Sequence, residues 1–170
     1  MTLPQSRLLF LLALAVCVAL LGGALYMQHG LGLEPCPMCI MQRIVFMAIA
    51  LVCLIAVIHG PESKGYRVYG GAALLFSGFG VALATRQLWL QSLPPDQVPE
   101  CMPSVEYMMD VLPFTEVLGH MLTGTGDCAE VVWRFLGLSI PGWTLVAFIG
   151  FTLFSLVELF RQRGPRAIFS

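Results

Sequence analysis

Two cysteines separated by two residues stand where a short polar segment meets a long apolar run. Cys36 and Cys39 form this pair within the stretch EPCPMCIMQR. The spacing allows the sulfurs to close a small, reducible ring at the start of a helix, where free N–H groups and the helix dipole favour a thiolate. Arg43 follows Cys39 by four residues, so its guanidinium lies one turn along the same helical face. The segment therefore predicts a two-electron thiol–disulfide site.

The other four cysteines fall into two classes by their surroundings. Cys17 and Cys53 lie in the middle of uncharged apolar runs, and we interpret them as buried packing residues. Cys101 and Cys128 lie in a long, more polar segment between two apolar runs. These two are the candidates for a second redox-active pair.

The composition indicates a membrane protein. Of the 170 residues, 58% are hydrophobic and 11% are charged, and the mean hydropathy is +0.83, whereas a soluble domain carries about 25% charged residues. A spanning helix needs roughly 20 apolar residues, and four runs come close to or reach that length. The predicted spans are residues 8–27, 40–58, 68–88 and 141–160 of a single domain, 1–170. No basic face or phosphate loop indicates a nucleic-acid or nucleotide partner.

The first apolar run could instead be a signal peptide. It is longer than the roughly 7–15 apolar residues typical of such a peptide, and no small-residue cleavage site closes it. We therefore expect it to be retained as a membrane span.

The positions of Lys and Arg near the span ends predict the orientation. They cluster in the N-terminal tail, the loop after the second span and the C-terminal tail, which an even number of spans places together on the cytoplasmic side. These residues are Arg7, Lys64, Arg67, Arg161, Arg163 and Arg166. Loops 28–39 and 89–140 then lie on the opposite, oxidising side with four of the cysteines, where disulfides persist.

The predicted fold class is an all-α membrane protein, a four-transmembrane-helix bundle with both termini cytoplasmic. Apolar residues at helical spacing in 105–112 and 114–121 predict short amphipathic helices in the long loop. Such helices either lie on the bilayer surface or pack on the protein itself.

Two other interpretations compete with redox catalysis. Two structural disulfides could brace the outer loops of a membrane scaffold, or four thiolates could bind a metal, although the spacing of the second pair fits zinc sites poorly. An arginine in the first turn of a span is costly and usually marks function, although its side chain could also snorkel to the headgroups. The position of Arg43 at the start of this span, four residues after Cys39, favours the redox interpretation.

The chain resembles the disulfide bond formation protein B (DsbB) family of membrane oxidoreductases over nearly its whole length. The resemblance rests on the Cys-x-x-Cys before the second span, the arginine after it, two loop cysteines, the run GDCAE at 126–130, FLGL at 135–138 and Pro141-x-Trp143. Vitamin K epoxide reductase-type enzymes also combine a helical Cys-x-x-Cys with loop cysteines, but there the motif comes late in the chain. The order of the motifs favours the DsbB family.

The resemblance implies a protein of the bacterial inner membrane with its redox loops in the periplasm. It implies reoxidation of a thioredoxin-fold thiol oxidase of the DsbA type, with a membrane quinone, ubiquinone or menaquinone, as the electron acceptor. Cys36 and Cys39 would reduce the quinone, with Cys39 nearest the ring. Cys101 would form the mixed disulfide with the partner, and Cys128 would be its pair.

Three further residues are implied as quinone contacts, namely Arg43, Gln87 and Ile140. Gln87 stands where some members of the family carry a histidine. A glutamine can donate a hydrogen bond to a quinone carbonyl, but it cannot titrate as a histidine does. No metal is implied.

Overall fold

Long apolar helices make up most of the chain, as seen in a computed structural model that describes residues 5–60, 63–94, 96–101 and 105–161. Four of these helices are long and apolar enough to cross a membrane, which confirms the predicted four-span, all-α bundle. The helices within the described ranges are α1 Gln5–Gly30, α2 Pro37–His59, α3 Ser63–Gln91, α4 Val105–Val111, α5 Phe114–Thr123 and α6 Ile140–Phe160. Two arginines used to predict the orientation, Arg163 and Arg166, lie outside the described residues, as does the side chain of Lys64.

Proline and glycine mark the ends of the spanning helices. Pro37 and Pro141 stand in the first turns of α2 and α6, where the missing N–H group costs no intrahelical hydrogen bond. Gly60 follows α2 in the left-handed conformation, with φ of 53°, which glycine adopts without strain. Helices α1 to α3 extend beyond the predicted spans because hydropathy marks the apolar centre of a helix and not its caps.

The bundle is built from neighbouring pairs: α1 packs on α2, α2 on α3, and α3 on α6. Helices α3 and α6 approach closely at Gly80, where an added Cβ would lie 2.4 Å from the ring of Phe148. Phe148 in turn stacks on Phe46 of α2, with ring centroids 4.1 Å apart. Small residues allow helices to approach in this way within lipid. Helices α1 and α6 meet at Phe10 and Phe154, whose ring centroids lie 5.2 Å apart, and both helices also line the same clefts.

The two short loop helices pack on the protein. Met108 of α4 and Val117 and Met121 of α5 are buried and join the hydrophobic core, and α5 contacts α2. Other apolar side chains on the same helices, including Tyr107 and Phe114, stay exposed. The predicted helices are therefore confirmed, and one apolar face of each covers the outer end of the bundle.

A small β-hairpin, which the sequence did not predict, precedes α6. Strands β1 (Arg134–Phe135) and β2 (Leu138–Ser139) pair antiparallel. The turn residues Leu136 and Gly137 have φ of 51° and 82°, as a type I′ hairpin turn requires. Trp143 Nε1 donates a hydrogen bond to the Phe135 carbonyl oxygen at 3.1 Å, so the hairpin is tied to the first turn of α6.

Candidate functional site

The Cys-x-x-Cys pair forms the start of α2. Cys36 is the N-cap residue, with extended backbone, and its Sγ accepts a hydrogen bond from the backbone N–H of Cys39 at 3.3 Å. Cys39 is therefore the third residue of the helix rather than its first. A polar N-cap atom satisfies one of the free N–H groups at a helix start, and here a sulfur takes that position.

Gln87 of α3 lies against both sulfurs. Its Nε2 donates to Cys36 Sγ at 3.2 Å and to Cys39 Sγ at 3.4 Å. Gln87 is 2% exposed, so both hydrogen bonds lie inside the protein. The residue that the sequence placed as a quinone contact thus touches the thiol pair itself.

Two residues that the sequence did not single out hold Gln87. Gln42 Nε2 donates to Gln87 Oε1 at 2.8 Å, and Thr144 Oγ1 lies 2.6 Å from Gln42 Oε1. The same hydroxyl lies 2.9 Å from the Pro141 carbonyl oxygen. Helices α2, α3 and α6 are therefore joined by a continuous line of polar side chains that ends on the sulfurs.

Cys128 brings a third sulfur to this point. It lies in a 3₁₀ turn, Gly126–Cys128, and is fully buried. It lies close enough to Cys36 for the two thiols to shift each other's pKa, and Thr125 Oγ1 lies 3.8 Å from Cys128 Sγ. Cys128 and Cys36 are far apart in the sequence, but they come together because the 3₁₀ turn packs against α2.

The interaction between these two thiols shifts their pKa values in opposite directions. The hydrogen bond from the Cys36 thiol is the main cause that lowers the pKa of Cys128, with backbone groups of Thr125 and Met38 adding to it against the opposing effect of burial. Hydrogen bonds to Cys128 and Cys39, together with burial, raise the pKa of Cys36. Of this pair, Cys128 is the one suited to carry the negative charge.

Cys101 lies on the exposed side of the same 3₁₀ turn. The Gly126 N–H donates to the Glu100 carbonyl oxygen at 3.1 Å, and a Cβ on Gly126 would lie 2.9 Å from Cys101 Sγ. The charge of Asp127 is the main cause that raises the pKa of Cys101, followed by slight desolvation, a hydrogen bond to Asp127 and the charge of Glu130. The turn thus carries an exposed sulfur beside it and a buried sulfur within it.

Arg43 is anchored to α1. Its Nη1 donates to Gln28 Oε1, and its Nη2 donates to the Ala24 carbonyl oxygen at 3.2 Å. These two hydrogen bonds direct the guanidinium toward α1, although Arg43 and Cys39 line the same cavity. That Arg43 stabilises the Cys39 thiolate directly stays a prediction.

A cavity of about 430 Å³ opens beside the sulfurs, between α1 and α6. Its walls are mainly apolar, and the hairpin with its aromatic side chains forms one side of it. The residues of the sulfur site and the predicted quinone contacts that line it are Cys36, Cys39, Gln42, Arg43, Gln87, Ile140 and Thr144. Ligand pockets for small organic molecules have this size and this mixture of apolar walls with a few polar groups.

The sequence carried a weak signal for the residues it missed. Gln42 is an uncharged polar residue in the first turns of an apolar span, and Thr144 lies one turn after the start of another. Polar side chains in membrane helices often make hydrogen bonds between helices. Their partners, however, lie on other helices and cannot be read from local spacing.

Comparison with known proteins gives a consistent result. The family model described as "Disulfide bond formation protein DsbB" matches residues 6–158. A protein of Marinobacter nauticus named "Disulfide bond formation protein B" is 57% identical over 161 residues, which covers 95% of this chain and 96% of the relative. A Pseudomonas aeruginosa protein named "Disulfide bond formation protein B 1" is 50% identical over 162 residues, covering 95% and 99%. A Hahella chejuensis protein named "Disulfide bond formation protein B" is 56% identical over 147 residues, covering 86% and 89%.

Proposed function

The chain belongs to the DsbB family, and from this premise we propose that it is a membrane thiol–disulfide oxidoreductase that reoxidises a DsbA-type thiol oxidase. Its electrons pass to a membrane quinone. The protein lies in the bacterial inner membrane, with both termini in the cytoplasm and the redox loops in the periplasm. Family membership favours this function over a disulfide-braced scaffold and over a vitamin K epoxide reductase-type enzyme.

The observation that carries the proposal is the arrangement of four sulfurs from the protein surface to the cavity. Cys101 is exposed beside the 3₁₀ turn that holds the buried Cys128, and Cys128 lies close enough to Cys36 at the start of α2 for the two thiols to shift each other's pKa. Cys36 and Cys39 then line the cavity between α1 and α6. A row of sulfurs of this kind can move a disulfide from one end to the other by successive exchange.

The partner reacts at the exposed end. In the oxidised protein, a thiolate of the partner attacks Cys101 Sγ, a new S–S bond joins the partner to Cys101, and the Cys101–Cys128 bond breaks. The electron pair of that bond leaves with Cys128. Cys36 cannot donate to Cys128 while it is in the Cys36–Cys39 disulfide, but backbone groups of Thr125 and Met38 still lower the pKa of Cys128. Asp127 raises the pKa of Cys101, so Cys128 is the better leaving group, because exchange is faster when the leaving thiol is more acidic.

Cys128 then passes the electron pair inward. Its thiolate attacks Cys36 Sγ, the Cys36–Cys39 bond breaks, and Cys39 leaves with the electron pair. The Gln87 amide donates toward both sulfurs of the pair, so the released thiolate meets a hydrogen-bond donor.

A second thiolate of the partner attacks the partner's sulfur in the mixed disulfide, which forms the partner's own disulfide and releases Cys101 as a thiolate. Cys101 then attacks Cys128 Sγ, the Cys128–Cys36 bond formed in the previous step breaks, and Cys36 leaves with its electron pair. The Cys101–Cys128 bond is thereby restored, and Cys36 and Cys39 are left reduced.

The cavity fits a quinone ring. Its apolar walls suit a lipophilic ring, and Arg43 has N–H donors beyond the two that bind α1, which suit a carbonyl oxygen of a quinone. Arg43, Gln87 and Ile140 would hold the ring beside Cys39. When bound, a quinone supplies the acceptor for two electrons and two protons from the reduced pair. The anchoring of Arg43 by α1 keeps its guanidinium at the cavity wall.

Turnover with and without quinone tests this function. The purified full-length protein is freed of endogenous quinone and given a reduced DsbA-type oxidase in detergent micelles. Oxidation of the partner should stop after the stored disulfides are used and should resume when a ubiquinone or menaquinone analogue is added. Continued multiple turnover without quinone would contradict the proposal.

A further inference from the structure

The sulfurs of Cys36 and Cys39 stand at one end of a line of neutral side chains from three helices. Thr144 of α6 contacts Gln42 of α2, Gln42 donates to Gln87 of α3, and Gln87 donates to both sulfurs. We propose that Gln42 and Thr144 are positioning residues that hold the amide nitrogen of Gln87 against the two sulfurs. The inference deepens the proposed function by assigning how the reduced pair keeps its thiolate.

Which end of each amide donates and which accepts depends on the neighbouring hydrogen bond in the line. An amide side chain has an acceptor end and a donor end, so Gln87 can present either its nitrogen or its oxygen to the sulfurs. The oxygen would repel a thiolate, whereas the nitrogen stabilises it. Because Gln42 donates to Gln87 Oε1 at 2.8 Å, the nitrogen of Gln87 is directed to the sulfurs.

Thr144 determines the direction of Gln42. Its hydroxyl carries one hydrogen and has two acceptors in reach, Gln42 Oε1 at 2.6 Å and the Pro141 carbonyl oxygen at 2.9 Å. With the hydrogen on Gln42 Oε1, the nitrogen of Gln42 must face Gln87, as observed. With the hydrogen on Pro141, Gln42 could turn its nitrogen to the hydroxyl oxygen and Gln87 would turn its oxygen to the sulfurs. The shorter contact favours the first arrangement.

Burial of the two amide side chains strengthens the hydrogen bonds between them and the sulfurs. Gln42 and Gln87 are 3% and 2% exposed, and hydrogen bonds are stronger where water is excluded. The surrounding groups that can carry charge are the third sulfur, Cys128, and the cavity-lining residues Glu34, Arg43, Asp127 and Glu130. Thr144, Gln42 and Gln87 are themselves neutral at every physiological pH, so the donor stays available to the thiolate while those groups titrate.

Helix α6 supplies a matched control. Thr152 also contacts a backbone carbonyl of its own helix, Phe148 at 2.8 Å, and reaches α3 through Ser77 Oγ at 3.1 Å. Like Thr144, it therefore hydrogen-bonds to its own helix and to one neighbouring helix, but its line leads through Ser77 to the Leu74 carbonyl oxygen and not to the sulfurs. A loss of interhelical hydrogen bonding alone would affect both threonines.

Alkylation of the reduced pair tests the inference without quinone or partner, so its result is separate from that of the turnover experiment. The full-length chain carries Cys17, Cys53, Cys101 and Cys128 replaced by Ala, and the rate of reaction with N-ethylmaleimide is measured against pH. Thr144→Val should slow the reaction at neutral pH by about three- to tenfold, the effect of one hydrogen bond, and move the profile to higher pH. Thr144→Ser should restore the parent profile, and Thr152→Val should keep it.

A second variant that removes a different hydrogen bond from the line controls for a folding defect in Thr144→Val. Gln42→Met removes the middle link at similar volume and should give the same shift as Thr144→Val. The inference is overturned if Thr144→Val and Gln42→Met keep the parent profile, if Thr152→Val shifts it as much as Thr144→Val, or if Thr144→Ser is as slow as Thr144→Val.

Discussion

The thiols of Cys128 and Cys36 lie close enough to shift each other's pKa in opposite directions, although one belongs to a loop turn and the other caps a membrane helix. The loop sulfur therefore needs no large movement to reach the Cys-x-x-Cys pair. The Cys36 thiol is the largest cause that lowers the pKa of Cys128 in the reduced protein, and backbone groups of Thr125 and Met38 still lower it when Cys36 is in a disulfide. The negative charge is therefore favoured on the sulfur that we propose as the attacking group.

Asp127 should control the reactivity of Cys101. Its negative charge raises the pKa of Cys101, so Asp127→Asn should lower that pKa, increase the thiolate fraction at neutral pH and speed alkylation of reduced Cys101 by iodoacetamide severalfold. Asp110→Asn is the matched control, since Asp110 lies exposed on α4. An Asp127→Asn profile that is unchanged, or moved to higher pH, would refute the assigned cause.

Arg43→Ala should impair the quinone step and spare exchange with the partner. Removing a hydrogen-bonded charge costs about 1.5–3 kcal/mol, so quinone reduction in stopped-flow experiments should slow about tenfold or more, while single-turnover oxidation of the partner keeps its rate. Arg134→Ala, on the exposed strand β1, is the control. Equal quinone rates in the parent and Arg43→Ala would remove Arg43 from the site.

Gly126→Ala should slow disulfide exchange with the partner at Cys101 without affecting the Cys36–Cys39 pair. The new methyl group would lie 2.6 Å from the Pro99 carbonyl oxygen and 2.9 Å from Cys101 Sγ, so the segment carrying Cys101 must move. Partner oxidation should slow, while quinone reduction by the reduced Cys36–Cys39 pair is retained. Gly119→Ala, where a methyl group meets open space, should leave both steps unchanged; a similar loss in both variants would contradict the packing argument.

Gly80→Ala should destabilise the bundle. The added methyl group would lie 2.4 Å from the Phe148 ring, and overpacking of this kind costs about 1–3 kcal/mol, measured as the free energy of unfolding in mixed micelles. Gly78→Ala is the control, since no atom lies within 4 Å of its added methyl group. Equal stability of the two variants would show that α3 and α6 do not meet as described.

The spans could be predicted because their signal is local. Each of the four helices contains an apolar stretch long enough to cross a bilayer, and Pro37 and Pro141 mark two of the starts. The short helices of the loop were visible from apolar spacing. The hairpin was missed because its turn depends on Leu136 adopting a positive φ, which a leucine does not signal.

The site could be predicted only in part. The sequence named the four cysteines that we propose as redox-active and placed Arg43, Gln87 and Ile140 near them, largely through resemblance to a family. It could not show that Arg43 is held by Gln28, that Gln42 and Thr144 orient Gln87, or that Asp127 acts on Cys101. Each of these contacts joins separate elements of the chain, and their relative rotation follows from packing rather than from any local pattern.

Cross-linking between Cys36 and Cys128 tests the central claim most directly. A full-length variant with Ala at positions 17, 39, 53 and 101 keeps only these two cysteines, and a second variant keeps Cys36 and Cys101 instead. Under a mild soluble oxidant in the native state, we expect the Cys36–Cys128 disulfide to form rapidly and within one chain, and the Cys36–Cys101 disulfide to form much more slowly. Cys36 and Cys128 that stay reduced, or that pair no faster than Cys36 and Cys101, would contradict the proposed route of the electrons.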